Sequence, residues 1–304
     1  MHVLISGGSG LIGSSLTPRL TATGHKVSRL VRQGHNGGGR ADAGGAHVPW
    51  DPDAGILDPA RLTGVDAVVH LSGESIAGGR WTQKRRERIR NSRVRTTRLL
   101  ADTLARLQPR PAVFVHASAV GYYGDRGDEV LTEASGPGSG FLPDLCRDWE
   151  AASMPAQDAG VRVVRFRIAP VISSRGGMLA AILPLFRLGL GGRLGSGRQW
   201  MSWIAIEDLL AIIDQALSDG SMRGSINAVS PEPVRNSEFT HALARALRRP
   251  AILPAPGFAL RMALGAMAQE LLLASQRVVP ETLQRSAGFQ FTRPRLEDAL
   301  RVAV

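Results

Sequence analysis

Lysine, tyrosine and cysteine are nearly missing from this chain. Its 304 residues include one cysteine, Cys146, and two tyrosines, Tyr122 and Tyr123. Of its 37 basic residues only Lys26 and Lys84 are lysines. A single cysteine forbids an internal disulfide. The arginine skew runs through the whole sequence and reads as a composition bias. No run reaches the ~18 uncharged apolar residues that a membrane span needs. The nearest, residues 259–274, is broken by Arg261, Gln269 and Glu270. No basic leader or cleavage site precedes the strand-like HVLIS at residues 2–6, so secretion is not expected. The chain is read as intracellular and cytoplasmic, with no membrane partner.

What the chain does have is positive charge, a formal +11, which raises nucleic acid as a partner. The distribution argues against it. The one dense run, RWTQKRRERIRNSRVRTTR at 80–98, carries an interspersed acid, Glu87, and helical rather than aromatic spacing. It reads as a solvated helix face with a few arginines turned towards an anionic cofactor. No nucleic-acid partner is expected. The seven histidines show no ligand spacing such as H-x-x-x-H, so no metal site is expected either.

Short apolar runs alternate with helical stretches through the first half. The strand-like runs are HVLIS (2–6), KVSRLVR (26–32), AVVHLS (67–72), AVFVHAS (112–118) and RVVRFRIA (162–169). Helical patterns lie near 12–22, 82–106 and 142–158. This is the pattern of an α/β protein with a parallel sheet covered on both faces. QGHNGGGRADAGG (33–45) reads as a flexible loop. After about residue 170 the pattern becomes mixed. Gly-rich LGLGGRLGSGRQ (188–199) is followed by a helix, AIEDLLAIIDQAL, a strand, GSINAVS, and helices near 236–247, 257–275 and 294–302. We expect a dinucleotide-binding Rossmann domain over 1–170, a doubly wound parallel sheet that also recruits a strand near 224–230. A smaller mixed α/β substrate domain is expected over 171–304.

The strongest local signal is HVLISGGSGLIGSSLTPRL (2–20), with Gly7, Gly10 and Gly13 in G-x-x-G-x-x-G and Gly8, Gly10 and Gly13 in G-x-G-x-x-G. A chain that binds a pyrophosphate must turn tightly out of a strand. Its backbone must come close to the ligand, and the N–H groups of the following helix must aim at the phosphates. Three glycines between a strand and a helix meet those demands. An NAD-preferring site wants an acid at the end of the second strand to hold the ribose 2′-hydroxyl. No Asp or Glu occurs before Asp42; the strand ends instead in SRLVRQ, with Arg29 and Arg32. A guanidinium there suits the 2′-phosphate of NADP. Alternation along the strand leaves open which arginine points inward. Arg32, at the C-terminal end where ligands bind, is favoured, and Arg29 is read as a surface arginine.

With DAVVHLSGES, VFVHASAVGYYGD, RFRIAPVI, WIAIEDLLAII and GSINAVSPEPV in order, the chain resembles the extended short-chain dehydrogenase/reductase superfamily. More narrowly, GES with Arg80–Trp81, SRVRTTRLL, CRDWEAA, LPLFRLGLGGRLGSGRQWMSWI and SQRVVPETLQRSAGFQF resemble the YfcH-like branch of NAD(P)-dependent epimerase-family proteins. The resemblance spans essentially the whole chain. It implies NADP in preference to NAD, held by Gly7, Ser9, Gly10, Leu11, Ile12, Gly13, Arg32, Leu71, Ser72, Gly73, Arg93 and the segment around Val171. It also implies a small-molecule substrate, with a nucleotide-sugar one class, and leaves a homodimer open.

The superfamily resemblance also implies a Tyr-x-x-x-Lys pair on one helix with a nearby Ser or Thr. The lysine lowers the tyrosine pKa, and the tyrosinate moves a proton while hydride passes to the nicotinamide. Here the pair is absent. Four residues after Tyr122 and Tyr123 stand Arg126 and Gly127. Anchored on Glu150, the lysine position falls on Cys146 and the tyrosine position on Leu142. Three candidates for proton chemistry remain: Ser118, Tyr123 and Cys146. An unassisted tyrosine titrates near ~10 and needs a cationic neighbour, for which Arg126 or Arg167 could serve. Cys146 is a proton donor if its thiol pKa is lowered, or a small buried side chain filling the lysine's former volume. Trp149 reads as core or pocket wall. Gln199, Trp200 and Trp203 lie near a glycine-flexed loop, where ligand contact and interior packing are both open. The expectation is an NADP-binding oxidoreductase or epimerase-like enzyme acting on a hydroxyl or carbonyl of a polar metabolite. The alternative is a catalytically silent NADP(H)-binding sensor or scaffold.

Overall fold

A computed structural model describes residues 1–32, 46–285 and 287–304. The Gly-rich loop expected at 33–45 lies outside the described residues. Seven parallel strands form one sheet. In chain order they are β1 (His2–Ser6), β2 (Lys26–Arg32), β3 (Ala46–Trp50), β4 (Ala67–His70), β5 (Val113–Ala119), and the strands Arg162–Ile168 and Gly224–Ala228. Across the sheet they run β3, β2, β1, β4, β5, Arg162–Ile168, Gly224–Ala228. The order reverses between β1 and β4. In a doubly wound sheet the crevice at that switch point, beyond the carboxyl ends of the strands, is where ligands bind.

Alternation along the strands sends apolar side chains to both faces. Val3, Ile5, Val69, Val115 and Val164 meet helix α1 (Leu11–Ala22) and the helix Ile206–Ser218 on one side. Leu4, Val68, Phe114 and Val163 meet α2 (Gln83–Arg106) and α4 (Met154–Asp158) on the other. Thr82 caps α2, its side chain accepting from the Arg85 N–H at 3.3 Å. A third apolar cluster joins Leu179, Leu183, Phe186, Trp203, Phe239 and Leu300, all from the second half.

The expected strand near 224–230 is present, pairing in parallel with Arg162–Ile168 as the sheet's last strand. Strand β3 was not anticipated. Its Pro49 has no N–H to donate, which an edge strand tolerates because one side has no ladder to feed; among the described residues β3 pairs only with β2. The helix read over 142–158 is in fact two. α3 (Phe141–Ala151) ends before Met154, and Pro155 opens α4 at a first-turn position, where a missing N–H costs nothing. A helix at Gly177–Arg187 also went unread. No described helix is long and apolar enough to cross a membrane.

Candidate functional site

Backbone proximity builds the site at the switch point. Gly7 leaves β1 with φ +72°, and a β-carbon there would lie 2.7 Å from the Leu71 carbonyl carbon and 2.8 Å from the Ser72 nitrogen. Only glycine lets the first loop and the end of β4 touch this closely. A β-carbon on Gly13 would lie 2.4 Å from the Gly7 carbonyl oxygen, so α1 approaches the loop only through a bare Cα. The Gly10 N–H closes the turn on the Gly7 carbonyl at 3.0 Å. Gly10 is also the N-cap of α1 and makes no side-chain cap bond. The N–H groups of the first helical turn therefore have no intrahelical or capping partner, the arrangement that receives an oxyanion.

The other residues implied for the cofactor gather around this turn. Ser9 and Gly10 are exposed; Leu11 and Ile12 are half-buried. Leu11 packs within 3.4 Å of where β-carbons on Gly176 and Gly177 would stand. Arg175 donates to the Ser15 hydroxyl at 2.6 Å. The segment following Val171 is thereby fastened to the start of α1. The Arg93 guanidinium lies 3.1 Å from a β-carbon placed on Gly73 and 5.2 Å from the centre of the Trp149 ring. Burial lowers its pKa, an effect the Cys146 and Glu74 charges oppose.

The two arginines of β2 divide as alternation requires. Arg32 is exposed at the strand's C-terminal end, with Asp53 3.8 Å away. Arg29 is not the surface residue expected. It is half-buried, and its Cδ stands 3.2 Å from a β-carbon placed on Gly8, against the glycine turn.

Beneath α3 lies a buried polar layer that sequence reading missed. Strand register sets Ser6, His70, His116, Arg165 and Ser225 in one row across five strands. Two residues onward, Ser118, Arg167 and Asn227 form a second row on the same face. Glu150 of α3 closes the layer. Its carboxylate accepts from Ser118 Oγ at 2.8 Å, Ser225 Oγ at 2.8 Å, Arg167 Nε at 2.9 Å and Arg167 Nη2 at 3.0 Å. Arg167 Nη1 donates to the Tyr123 hydroxyl at 2.9 Å, and its guanidinium lies over the Tyr122 ring at 3.5 Å. The Tyr123 proton is shared between Asn227 Oδ1 at 2.7 Å and the Thr132 carbonyl at 3.0 Å. A signal for this layer was available: Arg165 and Arg167 sit two apart in an apolar strand and so share a face.

Two of the three proton candidates, Ser118 and Tyr123, thus join one network through Arg167 and Glu150. Arg167 supplies the cationic neighbour; Arg126 instead pairs with Glu129 at 2.6 Å. The help is not enough. Burial pushes Tyr123 up to about 12, against the opposing charge and hydrogen bond of Arg167. Cys146 is buried near Gly121, and burial, then the Glu150 charge, pushes its thiol up to about 12. Arg167 itself stays fully charged. Burial favours losing its proton, but the hydrogen bonds and charge of Glu150 outweigh that. Leu142 and Cys146, at the positions of the superfamily's tyrosine and lysine, are both buried. Tyr123 and Cys146 therefore keep their protons near neutral pH.

Two of the aromatic candidates are structural. Trp203 is buried and donates to the Glu232 carbonyl at 2.9 Å, and Trp149 donates to Thr97 Oγ1 at 2.9 Å. Gln199 is buried as well, bonded to the Leu194 and Leu272 carbonyls. Trp200 is half-buried, flanked by the guanidinium groups of Arg235 and Arg277. Among the described residues no cluster of three or more His, Cys, Asp or Glu side chains could hold a metal ion.

Residues 3–228 match the family described as the NAD dependent epimerase/dehydratase family. The chain belongs to that family. Residues 255–303 match a second family, described only as a domain of unknown function, DUF1731. Among relatives, "Epimerase family protein Mb2239" of Mycobacterium bovis is 46% identical over 298 residues, 98% of this chain and 96% of the relative. Among solved structures, human "epimerase family protein SDR39U1 (isoform2) with NADPH" superposes with a TM-score of 0.86 at 32% identity, covering 100% of this chain and 99% of the other. A "nucleoside-diphosphate sugar epimerase" from Corynebacterium glutamicum superposes with a TM-score of 0.79 at 37% identity, covering 100% of this chain and 58% of the other. Family membership and the seven-stranded sheet agree with the expected doubly wound fold.

Proposed function

We propose that this epimerase-family chain binds NADP(H) at the switch point and acts as an oxidoreductase or epimerase-like enzyme on a hydroxyl or carbonyl of a polar metabolite. The observation that carries the reading is the glycine cradle: β-carbons at Gly7 and Gly13 would collide with backbone at 2.7 and 2.4 Å. Backbone N–H groups at the start of α1 hold the diphosphate. Arg32, with Arg29 behind the turn, meets the 2′-phosphate. Leu71, Ser72 and Gly73 line the adenosine side, Arg93 reaches an anionic group past Gly73, and Val171 closes the opposite wall. When bound, NADP(H) supplies or accepts a hydride at its nicotinamide ring. Ser118 and Tyr123, their protons spent on Glu150 and on Asn227 and Thr132, fix the carboxyl end of β5 beneath the nicotinamide side rather than donating to the substrate. The human structural relative is described with NADPH, and the C. glutamicum relative is described as a nucleoside-diphosphate sugar epimerase. The first supports the cofactor and the second a nucleotide-sugar as substrate class.

One observation favours a second reading, a catalytically silent NADP(H) sensor or scaffold. The superfamily's tyrosine and lysine positions hold Leu142 and Cys146, and both remaining acids, Tyr123 and Cys146, stand at about 12. The readings part on turnover. NADPH-saturated protein is incubated with a carbonyl library, nucleotide-sugars included, and absorbance at 340 nm is followed. Oxidation of NADPH beyond one equivalent establishes the enzyme. Epimerisation returns the hydride to its substrate and leaves the absorbance flat, so the nucleotide-sugars are also checked for a new epimer by NMR with the oxidised cofactor bound. A flat trace with no new epimer, alongside tight NADPH binding by calorimetry, favours the sensor.

A further inference from the structure

A cavity of about 350 Å³ opens between the start of α2 and a turn near the chain's C-terminal third. One wall is Arg80, Trp81, Thr82 and Arg86; the other is Leu264 with the backbone of 265–266. The neighbouring arginines are committed to partners. Arg85 and Arg88 both face Glu74, at 3.8 and 3.4 Å, and Arg85 also donates to the Ser75 carbonyl. Arg90 pairs with Asp148. Arg80 and Arg86 differ. Among the described residues neither has an ion pair or a side-chain hydrogen bond, and Arg86 Nε is buried with no acceptor there. Arg86 is held by its stacking on the Phe141 ring, 5.3 Å away, and the Arg80 guanidinium lies beside Gly265, where a β-carbon would stand 3.6 Å from Nη2. The carboxylate of Glu270 in the adjoining segment does not reach them; it caps the Leu142 N–H at 2.8 Å.

A guanidinium without a carboxylate partner is complemented by an oxyanion, and two line this one concavity, Arg86 half-buried and Arg80 exposed. The remaining lining is apolar. Trp81 is buried, its indole N–H spent on the Ile76 carbonyl at 2.8 Å, which leaves the ring to the cavity. Trp81 and Leu264 belong to the same apolar cluster as Leu142. The cavity therefore adjoins the helix end on which the superfamily's tyrosine would stand. The loop 71–82 leads to it directly from the glycine cradle.

We infer that this cavity is the subsite for an anionic group of the substrate, a phosphate or carboxylate held by Arg80 and Arg86 with its carbon neighbour against Trp81 and Leu264. At about 350 Å³ it lies at the lower end of ligand-pocket volumes, so it takes one end of a substrate rather than a whole nucleotide-sugar. The inference rests on the NADP(H) reading only for calling the ligand a substrate.

The test is calorimetry on the full chain saturated with NADPH, which keeps phosphate probes off the cofactor site. Phenyl phosphate and benzoate are titrated in parallel, and the tighter of the two assigns the head group. Arg80→Gln and Arg86→Gln are each expected to weaken that probe at least about fivefold, and the double variant to remove the signal, while NADPH affinity and melting temperature stay at parental values. Parental probe affinity in the double variant, or no binding of either probe to the parent, overturns the inference. If NADPH itself gives no heat, the cofactor reading fails separately. The probes are then titrated into free protein, where loss of binding in the double variant still identifies the cavity.

Discussion

Replacing Glu150 by alanine should be among the most damaging single changes away from the glycine loop. The substitution removes the acceptor for four hydrogen bonds, two from Ser118 and Ser225 and two from Arg167. It leaves a guanidinium whose side chain is only 5% exposed without its counter-charge. Breaking one partner of a buried ion pair costs about 3–5 kcal/mol, because the surviving charge stays buried and unpaired. Set against a total stability of about 5–15 kcal/mol, the loss is a large fraction. For a chain of this size it corresponds to a fall in Tm of roughly 6–10 °C. Urea unfolding followed by circular dichroism measures it, with the cycle completed by Arg167→Ala and the double variant. Once both partners are gone no lone charge remains, so the double variant should lose at least about 2 kcal/mol less than the sum of the singles. Strict additivity, or a Glu150→Ala loss below about 1 kcal/mol, would refute the account of this layer as one coupled unit.

Other outcomes follow from the same coordinates. Gly13→Ala should abolish NADPH binding by calorimetry with the fold retained, since its new methyl would meet the Gly7 carbonyl at 2.4 Å; parental affinity would show that α1 can shift. Arg32→Ala should weaken NADPH about tenfold or more and leave NADH unchanged, the signature of a lost charge-assisted phosphate contact; an equal effect on both would remove Arg32 from the 2′-phosphate. Burial holds His70 and His116 down at about 3, so both fold uncharged. The unfolded chain binds their protons first, so stability should fall as pH drops below about 6.5, by up to about 1.4 kcal/mol per pH unit for each histidine. His116→Phe should flatten that slope in urea titrations between pH 6.5 and 4.5; an unchanged slope would place the sensitivity elsewhere. Cys146, at about 12, should resist iodoacetamide at pH 8 in folded protein and react once urea unfolds it, as mass spectrometry would show.

Much of the architecture could be read from the residues alone, because apolar runs flanked by glycine-rich turns leave few options. The strands at 2–6, 26–32 and 162–168, and α2 within a residue of its expected ends, appeared where periodicity put them. Strand β3 escaped because Pro49 argues against a strand and only an edge location, invisible in one dimension, makes it harmless. The cradle was legible since its demands are local: a tight turn, a close approach, a helix start. The polar layer was not, because it depends on register. Nothing in the order of residues says that Ser118 stands beside Arg167, or that Glu150 descends onto both from a helix that lies between them in the chain. The same holds for Arg80 and Arg86. Their run suggests a solvated helix face, and only the docking of residues 264–266 turns their side of the chain into a concavity.

The seventh strand has a consequence for how the molecule is made. The strand Arg162–Ile168 offers one open edge until Gly224–Ala228 pairs with it, and Asn227 must arrive before the Tyr123 hydroxyl has its side-chain acceptor. On the ribosome, three-quarters of the polypeptide must therefore emerge before the sheet is sealed. During that interval a half-built edge, rich in valine and arginine, stands open to neighbouring nascent chains, and a chaperone that shields it would have a defined window in which to act.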